Sequence, residues 1–278
     1  MVQTFDITHE SVDIQLIPKE VFGTWPRDEI RLVFGNHLPI CIMVSAFVIY
    51  WFLLVPFVFP ATRPKSERAI SRAKVWKDWH NITMTLYSGI CCFGTLYYLY
   101  STGELFSWHA ILCNPVEGTW LRVLSATFTI SKIWEWFDTM FIVWLGKHPP
   151  QFLHKYHHAT TFWLFCYVMN QPGAEKLGML LNGFVHFLMY SHYYRKWPKA
   201  YVPIITILQI MQLTTVIYTW HAGPGECPRF ANVKKEFPLQ YNIPYTMVPV
   251  FLLLFVKFFV NRFLFKKPKK GKEEAKKE

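Results

Sequence analysis

The chain has 278 residues, of which 52% are hydrophobic and 18% aromatic, and its formal net charge is +11. This apolar excess leaves too little polar surface for a soluble domain of this length, so the composition favours an all-α polytopic membrane protein. The positive charge does not resemble a nucleic-acid-binding face, because much of it lies between Arg63 and Lys77 and after Phe265, beside apolar stretches. We therefore expect membrane lipid, and no nucleic acid, as a partner.

Residues 1–37 are polar and mixed in charge, and they lack the short apolar core and small-residue cleavage site of a signal peptide. We expect them to form a luminal segment and the first apolar stretch to act as a signal anchor. Residues 38–265 form the predicted membrane domain, and residues 266–278 a basic, disordered cytosolic tail. A bilayer crossing takes about 20 helical residues. This length predicts seven spans at 38–59, 80–100, 120–145, 152–169, 179–194, 201–220 and 245–265.

Lysine and arginine residues concentrate in alternate loops between these spans, whereas residues 102–118 contain none. Because basic loops stay cytosolic, the pattern predicts a luminal N-terminus and a cytosolic C-terminus. Asn81 begins a glycosylation sequon at the cytosolic end of a span, so we expect it to be unmodified. Cys113 and Cys227 fall in loops on the opposite side, where an oxidising lumen would allow either free thiols or a disulfide.

Three histidines, His154, His157 and His158, form an HxxHH motif inside the fourth span. Residues at i, i+3 and i+4 share one face of a helix, so the three imidazoles project into the same small volume. Polar side chains at membrane depth are costly and tend to mark functional sites. The spacing therefore indicates a reaction centre or a metal site.

Three further polar clusters accompany the histidines along the chain. The first is Lys132-x-x-Glu135-x-x-Asp138-Thr139, whose charges either join helices, hold a catalytic histidine or bind an anionic ligand. The second places Asn182, His186 and Tyr190 on one stripe of the fifth span, which gives that span a hydrogen-bonding side. The third contains Gln209 and Gln212, which either join helices or contact substrate.

The four motifs, in this order and on successive spans, resemble those of the very-long-chain fatty acid elongases, the ELO family. The resemblance is tight from Lys132 to Gln212, with one departure at His192, which adds a residue before Tyr193 and Tyr194. It implies a 3-ketoacyl-CoA synthase (very-long-chain 3-oxoacyl-CoA synthase) of the endoplasmic reticulum membrane, which condenses a long-chain acyl-CoA with malonyl-CoA and releases CO₂ and CoA. It also implies that six spans form a closed helical barrel around an acyl tunnel.

The resemblance implies roles for individual residues. His157 matches the position of the nucleophile that would form an acyl-histidine, His186 reaches it from the next span, and His154 and His158 act as base or tautomer-fixing partners. Lys132 is expected to bind CoA phosphates. No metal or cofactor is expected. The remaining expected substrate-binding residues, which would also stabilise developing oxyanions, are Glu135, Asp138, Asn182, Tyr190, Gln209 and Gln212.

The resemblance also bears on the cysteines, the substrate and the partners. Cysteines recur in the two luminal loops of relatives, which favours a disulfide between Cys113 and Cys227. Pro149 replaces a glutamine found five residues before the first histidine of the motif in some polyunsaturated-selective relatives, which favours saturated or monounsaturated substrates. Expected partners are acyl-CoA, malonyl-CoA and the ketoacyl reductase, dehydratase and enoyl reductase of the elongation cycle, with a homodimer as a further candidate.

Two other functions compete with this interpretation. A membrane di-iron desaturase or hydroxylase also uses HxxHH, but it needs several such motifs and this chain has one. A transporter or receptor could use intramembrane histidines for proton transfer, but no inverted repeat is visible in the sequence.

Overall fold

The computed structural model describes residues 38–116, 118–146, 148–168, 173–236 and 238–265. The predicted luminal segment 1–37, the basic tail 266–278 and Lys147 lie outside the described residues. Every regular element within the described ranges is a helix, which confirms the all-α prediction for this part of the chain.

We number the helices α1 to α10 along the chain. The first, α1, begins as Leu38–Val48, continues as a π-helix over Ile49–Val58 and ends as Phe59–Ala61. The last, α10, covers Pro238–Phe259 and continues as a π-helical turn over Val260–Leu264. The others are α2 (Glu67–Ser101), α3 (Trp108–Cys113), α4 (Thr119–Trp134), α5 (Trp136–Leu145), α6 (Phe152–Val168), α7 (Ala174–Tyr194), α8 (Val202–Glu226) and α9 (Pro228–Glu236).

Within the described residues, four helical stretches are long and apolar enough to cross a membrane, which is the pattern of a multi-pass membrane protein. They are Val44–Ala61, Glu67–Ser101, Val202–Glu226 and Tyr241–Leu264. They overlap the first, second, sixth and seventh predicted spans. The third predicted span contains α4 and α5, the fourth contains α6, and the fifth contains α7. The polar side chains of these helices lower their hydropathy. That these helices also cross the membrane stays a prediction.

The second helix starts well before the predicted span. Ser66 caps it, because the Ser66 hydroxyl accepts a hydrogen bond from the backbone N–H of Ala69 at 3.2 Å. The span was predicted from residue 80 because the charged stretch before it resembles a loop. With the helix beginning at Glu67, His80 lies inside α2 and is buried.

The prediction of one helix over residues 120–145 is wrong at a single position. Helix α4 ends at Trp134 and α5 begins at Trp136. Between them, the carbonyl of Glu135 accepts from the backbone N–H of Asp138 at 3.0 Å, a bond one residue shorter than in an α-helix. This tighter turn alters the rotation of Asp138 relative to Lys132.

Six parts of the chain pack side by side in a cyclic order. Helix α2 packs on α7, α7 on α8, α8 on α10, and α10 on α6. Helix α6 packs on α4, and α4 and α5 pack on α2, which completes the cycle. Helix α1 packs on α6 and α5. Only Tyr50 and Phe59 are buried among the described side chains of α1.

Helix α3 packs against α7, α8 and α9 at one end of the helices. The Cys113 thiol donates to the carbonyl of Glu226 at 3.7 Å, and it lies beside Cys227. Burial, and after it the neighbouring Cys227, raises the pKa of the Cys113 thiol to about 12. Both cysteines are free thiols in the structure, so the contact is present and the predicted disulfide stays a prediction.

A buried ion pair that was not predicted lies at the same end. Residues 171–178 were predicted to be a loop, but α7 begins at Ala174 and carries Lys176 in its first turn. The Lys176 ammonium donates to Glu104 at 2.7 Å and to the carbonyls of Asn114 and Ala110 at 2.9 and 3.1 Å. These bonds attach the start of α7 to α3 and to the connections on either side of α3.

Candidate active site

The three histidines of the HxxHH motif lie together on α6. The ring centroids of His154 and His158 are 4.2 Å apart, and those of His157 and His158 are 5.6 Å apart. His157 also packs against Phe251 and Phe255 of α10, at 5.2 and 5.9 Å. The Nδ1 atoms of His157 and His158 are buried without a hydrogen-bond partner. Two imidazole nitrogens therefore remain available to a ligand or to a reaction.

A second network joins the break between α4 and α5 to helix α7. The Lys132 ammonium donates to Glu135 at 2.7 Å and to the side-chain oxygen of Asn182 at 2.9 Å. It also lies over the rings of Phe128 and Phe165, at 4.3 and 4.6 Å from their centroids. Lys132 and Glu135 are each about 1% exposed, so the charge pair is removed from solvent. Such a pair needs these additional contacts to offset its desolvation.

His186 completes this network. Its Nδ1 lies 2.9 Å from the carbonyl of Asn182, and because a carbonyl only accepts, Nδ1 carries the proton. In the neutral ring, Nε2 is then free to accept a proton. This Nε2 lies 3.6 Å from Glu135, whose carboxylate would stabilise a positive charge on the imidazole. One ring nitrogen of His186 is thus held by a backbone carbonyl, and the other lies beside the Glu135 carboxylate.

Asp138 forms a third network with two residues from other helices. Its Oδ1 accepts from Nε2 of His80 on α2 at 3.0 Å, and its Oδ2 accepts from the hydroxyl of Tyr190 on α7 at 2.6 Å. All three side chains are buried. The Tyr190 ring lies 5.9 Å from that of His186, so this network is in contact with the second one.

Thr139 links the first helix to the histidines. Its hydroxyl lies 2.7 Å from that of Tyr50 on α1 and 3.0 Å from Nε2 of His154 on α6. Close by, the indole of Trp136 donates to the backbone carbonyl of His158 at 2.8 Å. Thr139 and Trp136, which follow the break at Glu135, therefore attach α5 to α6 through two separate hydrogen bonds.

Gln209 and Gln212 are separate from these networks. Gln209 is half-buried, and its amide lies 3.9 Å from the sulfur of Met189. Within the described residues, neither glutamine has a hydrogen bond to the histidines or to the charge pair. His192, the residue that departs from the family pattern, accepts from the backbone N–H of Trp197 at 3.0 Å and closes the turn after α7.

Two residues of the site were not predicted from the sequence. His80 lies outside the four sequence motifs, although a histidine inside an apolar stretch is itself a signal of function. Tyr50 carries no such signal, since tyrosine is common at the boundaries of membrane helices.

Comparison with known proteins identifies the family. The model of the ELO family, described as the GNS1/SUR4 family, matches residues 33–272. The chain belongs to the ELO family. This match confirms the resemblance drawn from the four motifs.

Individual relatives match parts of the chain or most of it. Long chain fatty acid elongase 1 of Caenorhabditis elegans is 35% identical over 145 residues, 49% of each chain. Fatty acid elongase 2 of Trypanosoma brucei brucei is 32% identical over 178 residues, 59% of this chain and 61% of the relative. Fatty acid elongase 3 of the same organism is 26% identical over 270 residues, 89% of this chain and 79% of the relative. The chain thus spans between half and four fifths of these relatives.

Proposed function

We propose that this ELO-family protein is a fatty acid elongase that condenses a long-chain acyl-CoA with malonyl-CoA to give 3-ketoacyl-CoA, CO₂ and CoA. The observation that carries this proposal is the buried Nδ1 of His157, which has no hydrogen-bond partner and lies between the other histidines and the phenylalanines of α10. An imidazole nitrogen with no partner is available as a nucleophile.

The reaction would proceed in two steps. A nitrogen of His157 attacks the acyl-CoA carbonyl and the carbon–sulfur bond breaks, so CoA leaves as a thiolate that takes a proton from water. The other ring nitrogen of His157 gives its proton to a base, which leaves a neutral acyl-imidazole. Malonyl-CoA then loses CO₂, and the resulting enolate carbon attacks the acyl-histidine. The carbon–nitrogen bond breaks, its electron pair returns to His157, the base gives back the proton that it took, and 3-ketoacyl-CoA is released.

His186 is the candidate base for the first step. Its free Nε2 would take the proton that His157 loses, and the adjacent Glu135 would stabilise the imidazolium that forms. Lys132 holds Glu135 and Asn182 in place and adds a fixed positive charge. A fixed charge in a site without water stabilises a developing oxyanion more strongly than it would in water.

Two cavities at the start of α6 suggest where the CoA phosphates bind. One, of about 640 Å³, lies beside α1 and includes Arg63 and Lys155 in its lining. The other, of about 520 Å³, lies between α6 and α10 and includes Lys257 and Arg262. His157 faces α10, so the second cavity is the better candidate for CoA. Basic side chains there would pair with the phosphates.

The acyl chain would lie among the helices that pack in cyclic order. The apolar side chains of Phe251 and Phe255, which contact His157, would border its first carbons. We propose on this basis that α2, α4 with α5, α6, α7, α8 and α10 enclose an acyl tunnel. We further propose an endoplasmic reticulum location, a cytosolic C-terminus and a preference for saturated or monounsaturated acyl chains.

The covalent step can be tested with purified protein and acyl-CoA alone. We expect release of free CoA before malonyl-CoA is added, and an acyl adduct on His157 in intact-protein and peptide mass spectrometry. His157→Ala should abolish both the adduct and the elongation of acyl-CoA with labelled malonyl-CoA. His192→Ala, which changes a histidine of the turn after α7, is the matched control. Elongation without adduct or early CoA release would mean direct condensation in a ternary complex.

The contact between Cys113 and Cys227 also supports a proposal. In an oxidising lumen the two thiols would form a disulfide, which would join α3 to the end of α8. Non-reducing peptide mapping of protein prepared under oxidising conditions should recover the linked peptides. Free thiols at both positions would contradict the pairing.

A further inference from the structure

Tyr50 is an unusual residue of α1. This helix exposes most of its side chains, yet Tyr50 is fully buried, with a relative exposure of 0%. Its ring packs against Trp136 at 5.0 Å, which directs the hydroxyl towards α5. There the hydroxyl meets Thr139, and Thr139 in turn meets His154. A chain of hydrogen bonds thus runs from the first helix to the HxxHH motif.

The direction of this chain follows from counting protons. The Tyr50 hydroxyl has one proton, and the acceptor that the structure provides for it within the described residues is Thr139. If Thr139 instead donated to Tyr50, the Tyr50 proton would be buried with no acceptor, which is costly. Tyr50 therefore donates to Thr139. Among the described residues the hydroxyl proton of Thr139 has no other acceptor, so Thr139 donates it to Nε2 of His154.

We propose that Tyr50 is a positioning residue that, through Thr139, fixes the tautomer of His154. Nε2 of His154 is held as a hydrogen-bond acceptor, and the neutral ring carries its proton on Nδ1. A histidine with one fixed nitrogen has a defined ring orientation. Because the His154 ring contacts that of His158, and His158 contacts His157, this orientation extends to the proposed nucleophile.

The proposal gives α1 a part in catalysis, a consequence that rests on the proposed function. The cyclic packing of the other helices does not include α1, so its contribution would pass through this one hydroxyl. The tautomer itself is a property of the protein without substrate. It can therefore be measured whether or not the condensation takes place.

The tautomer is measurable by ¹⁵N NMR of histidine-labelled protein in lipid nanodiscs. Protonated and unprotonated ring nitrogens differ strongly in ¹⁵N chemical shift, and loss of a signal in His154→Gln assigns the residue. We expect an unprotonated Nε2 in the wild type and a mixture of tautomers in Tyr50→Phe, which keeps the ring and removes the hydroxyl. Tyr87→Phe is the matched control, because Tyr87 donates to Thr127 at 3.0 Å in the same way without a histidine beyond it.

The kinetic consequence separates positioning from simple loss of structure. Tyr50→Phe should lower kcat about tenfold with KM changed less than about twofold, whereas Tyr87→Phe should change neither. A wild-type His154 that carries its proton on Nε2 would overturn the proposal. So would a Tyr50→Phe spectrum identical to that of the wild type. If the wild type shows the expected tautomer but no condensation, the proposed function fails and the assignment of Tyr50 stands.

Discussion

Two buried lysine–carboxylate pairs occupy different levels of this molecule, and both have the same 2.7 Å separation. Lys132 pairs with Glu135 beside the histidines, and Lys176 pairs with Glu104 at the start of α7. Removing two charges from water costs several kcal/mol, so in each case the neighbours decide whether the pair is tolerated. The neighbours are what distinguish the two pairs.

Neighbouring residues satisfy all the hydrogen-bond donors of Lys176. An ammonium has three donors, and Lys176 has three acceptors, which are Glu104 and two backbone carbonyls. The other carboxylate oxygen of Glu104 accepts from the amide of Asn114 at 3.4 Å. No reactive group takes part in these contacts, so the pair holds the start of α7 against α3.

The Lys132 pair is arranged differently. Lys132 has two oxygen acceptors and two aromatic rings, and its partner Glu135 also faces His186. The charges are therefore shared with an imidazole that can change its protonation state. The two pairs thus have equal distances but different neighbours, because one joins the start of α7 to α3 and the other lies against a histidine of the candidate site.

The largest expected effect follows from removing the lysine of the site. Lys132→Met keeps the length of the side chain but leaves Glu135 and Asn182 without their donor. We expect elongation per folded molecule to fall about 10³-fold, since a fixed charge at a reaction centre contributes about 10²–10³ in rate. Labelled malonyl-CoA incorporation, normalised to the monodisperse fraction in size-exclusion chromatography, measures the effect. Activity within about tenfold of wild type would assign the pair a structural role.

Lys176→Met is the matched change at the other pair. Breaking a buried ion pair by removing one partner costs about 3–5 kcal/mol, because Glu104 is left buried and uncompensated. We expect a large loss of thermal stability in detergent. Thiol reactivity or tryptophan fluorescence during heating measures this loss. Activity per folded molecule should stay within about twofold of wild type. A selective loss of activity without loss of stability would remove the distinction between the pairs.

Double replacement sharpens the same distinction. Exchanging both charges for apolar residues removes the unpaired charge, and such replacements are often neutral or stabilising. Lys176→Met with Glu104→Leu should therefore recover most of the lost stability and remain active. Lys132→Met with Glu135→Leu should recover stability and stay inactive. Thermal unfolding and elongation assays on the four variants give the comparison directly.

The sequence predicts which residues form the clusters, but only part of how they meet. His154, His157 and His158 stand at i, i+3 and i+4, and the geometry of one helix brings residues with this spacing together. The order of the four motifs identifies the family. Spacing also predicts that Lys132 and Glu135 share a face, and the structure pairs them at 2.7 Å.

Contacts between helices distant in the sequence could not be predicted in this way. His80 is 58 residues from Asp138, and Tyr50 is 89 residues from Thr139. No periodicity specifies which faces of distant helices meet. The predicted spans also begin later than α2 and α7 do, because the charged stretch before residue 80 and the glycine- and proline-containing residues 171–178 resemble loops. The structure shows that charges within a helix can be buried when acceptors from other segments surround them.

The smallest expected effect concerns Asp138, a buried carboxylate that has no lysine and is held by His80 and Tyr190 instead. Tyr190→Phe removes one of these two donors and leaves the ring in place. A buried acceptor that loses a hydrogen bond costs about 1–3 kcal/mol, and Asp138 still keeps His80. We expect about a tenfold fall in kcat with little change in stability, since the Tyr190 ring also contacts His186. Tyr193→Phe is the control, because the Tyr193 ring packs on that of Tyr190 at 5.9 Å while its hydroxyl has no hydrogen bond to Asp138 among the described residues. Equal effects of the two changes would show that Asp138 does not depend on Tyr190, and would leave the Lys132 pair as the main electrostatic support of the histidines.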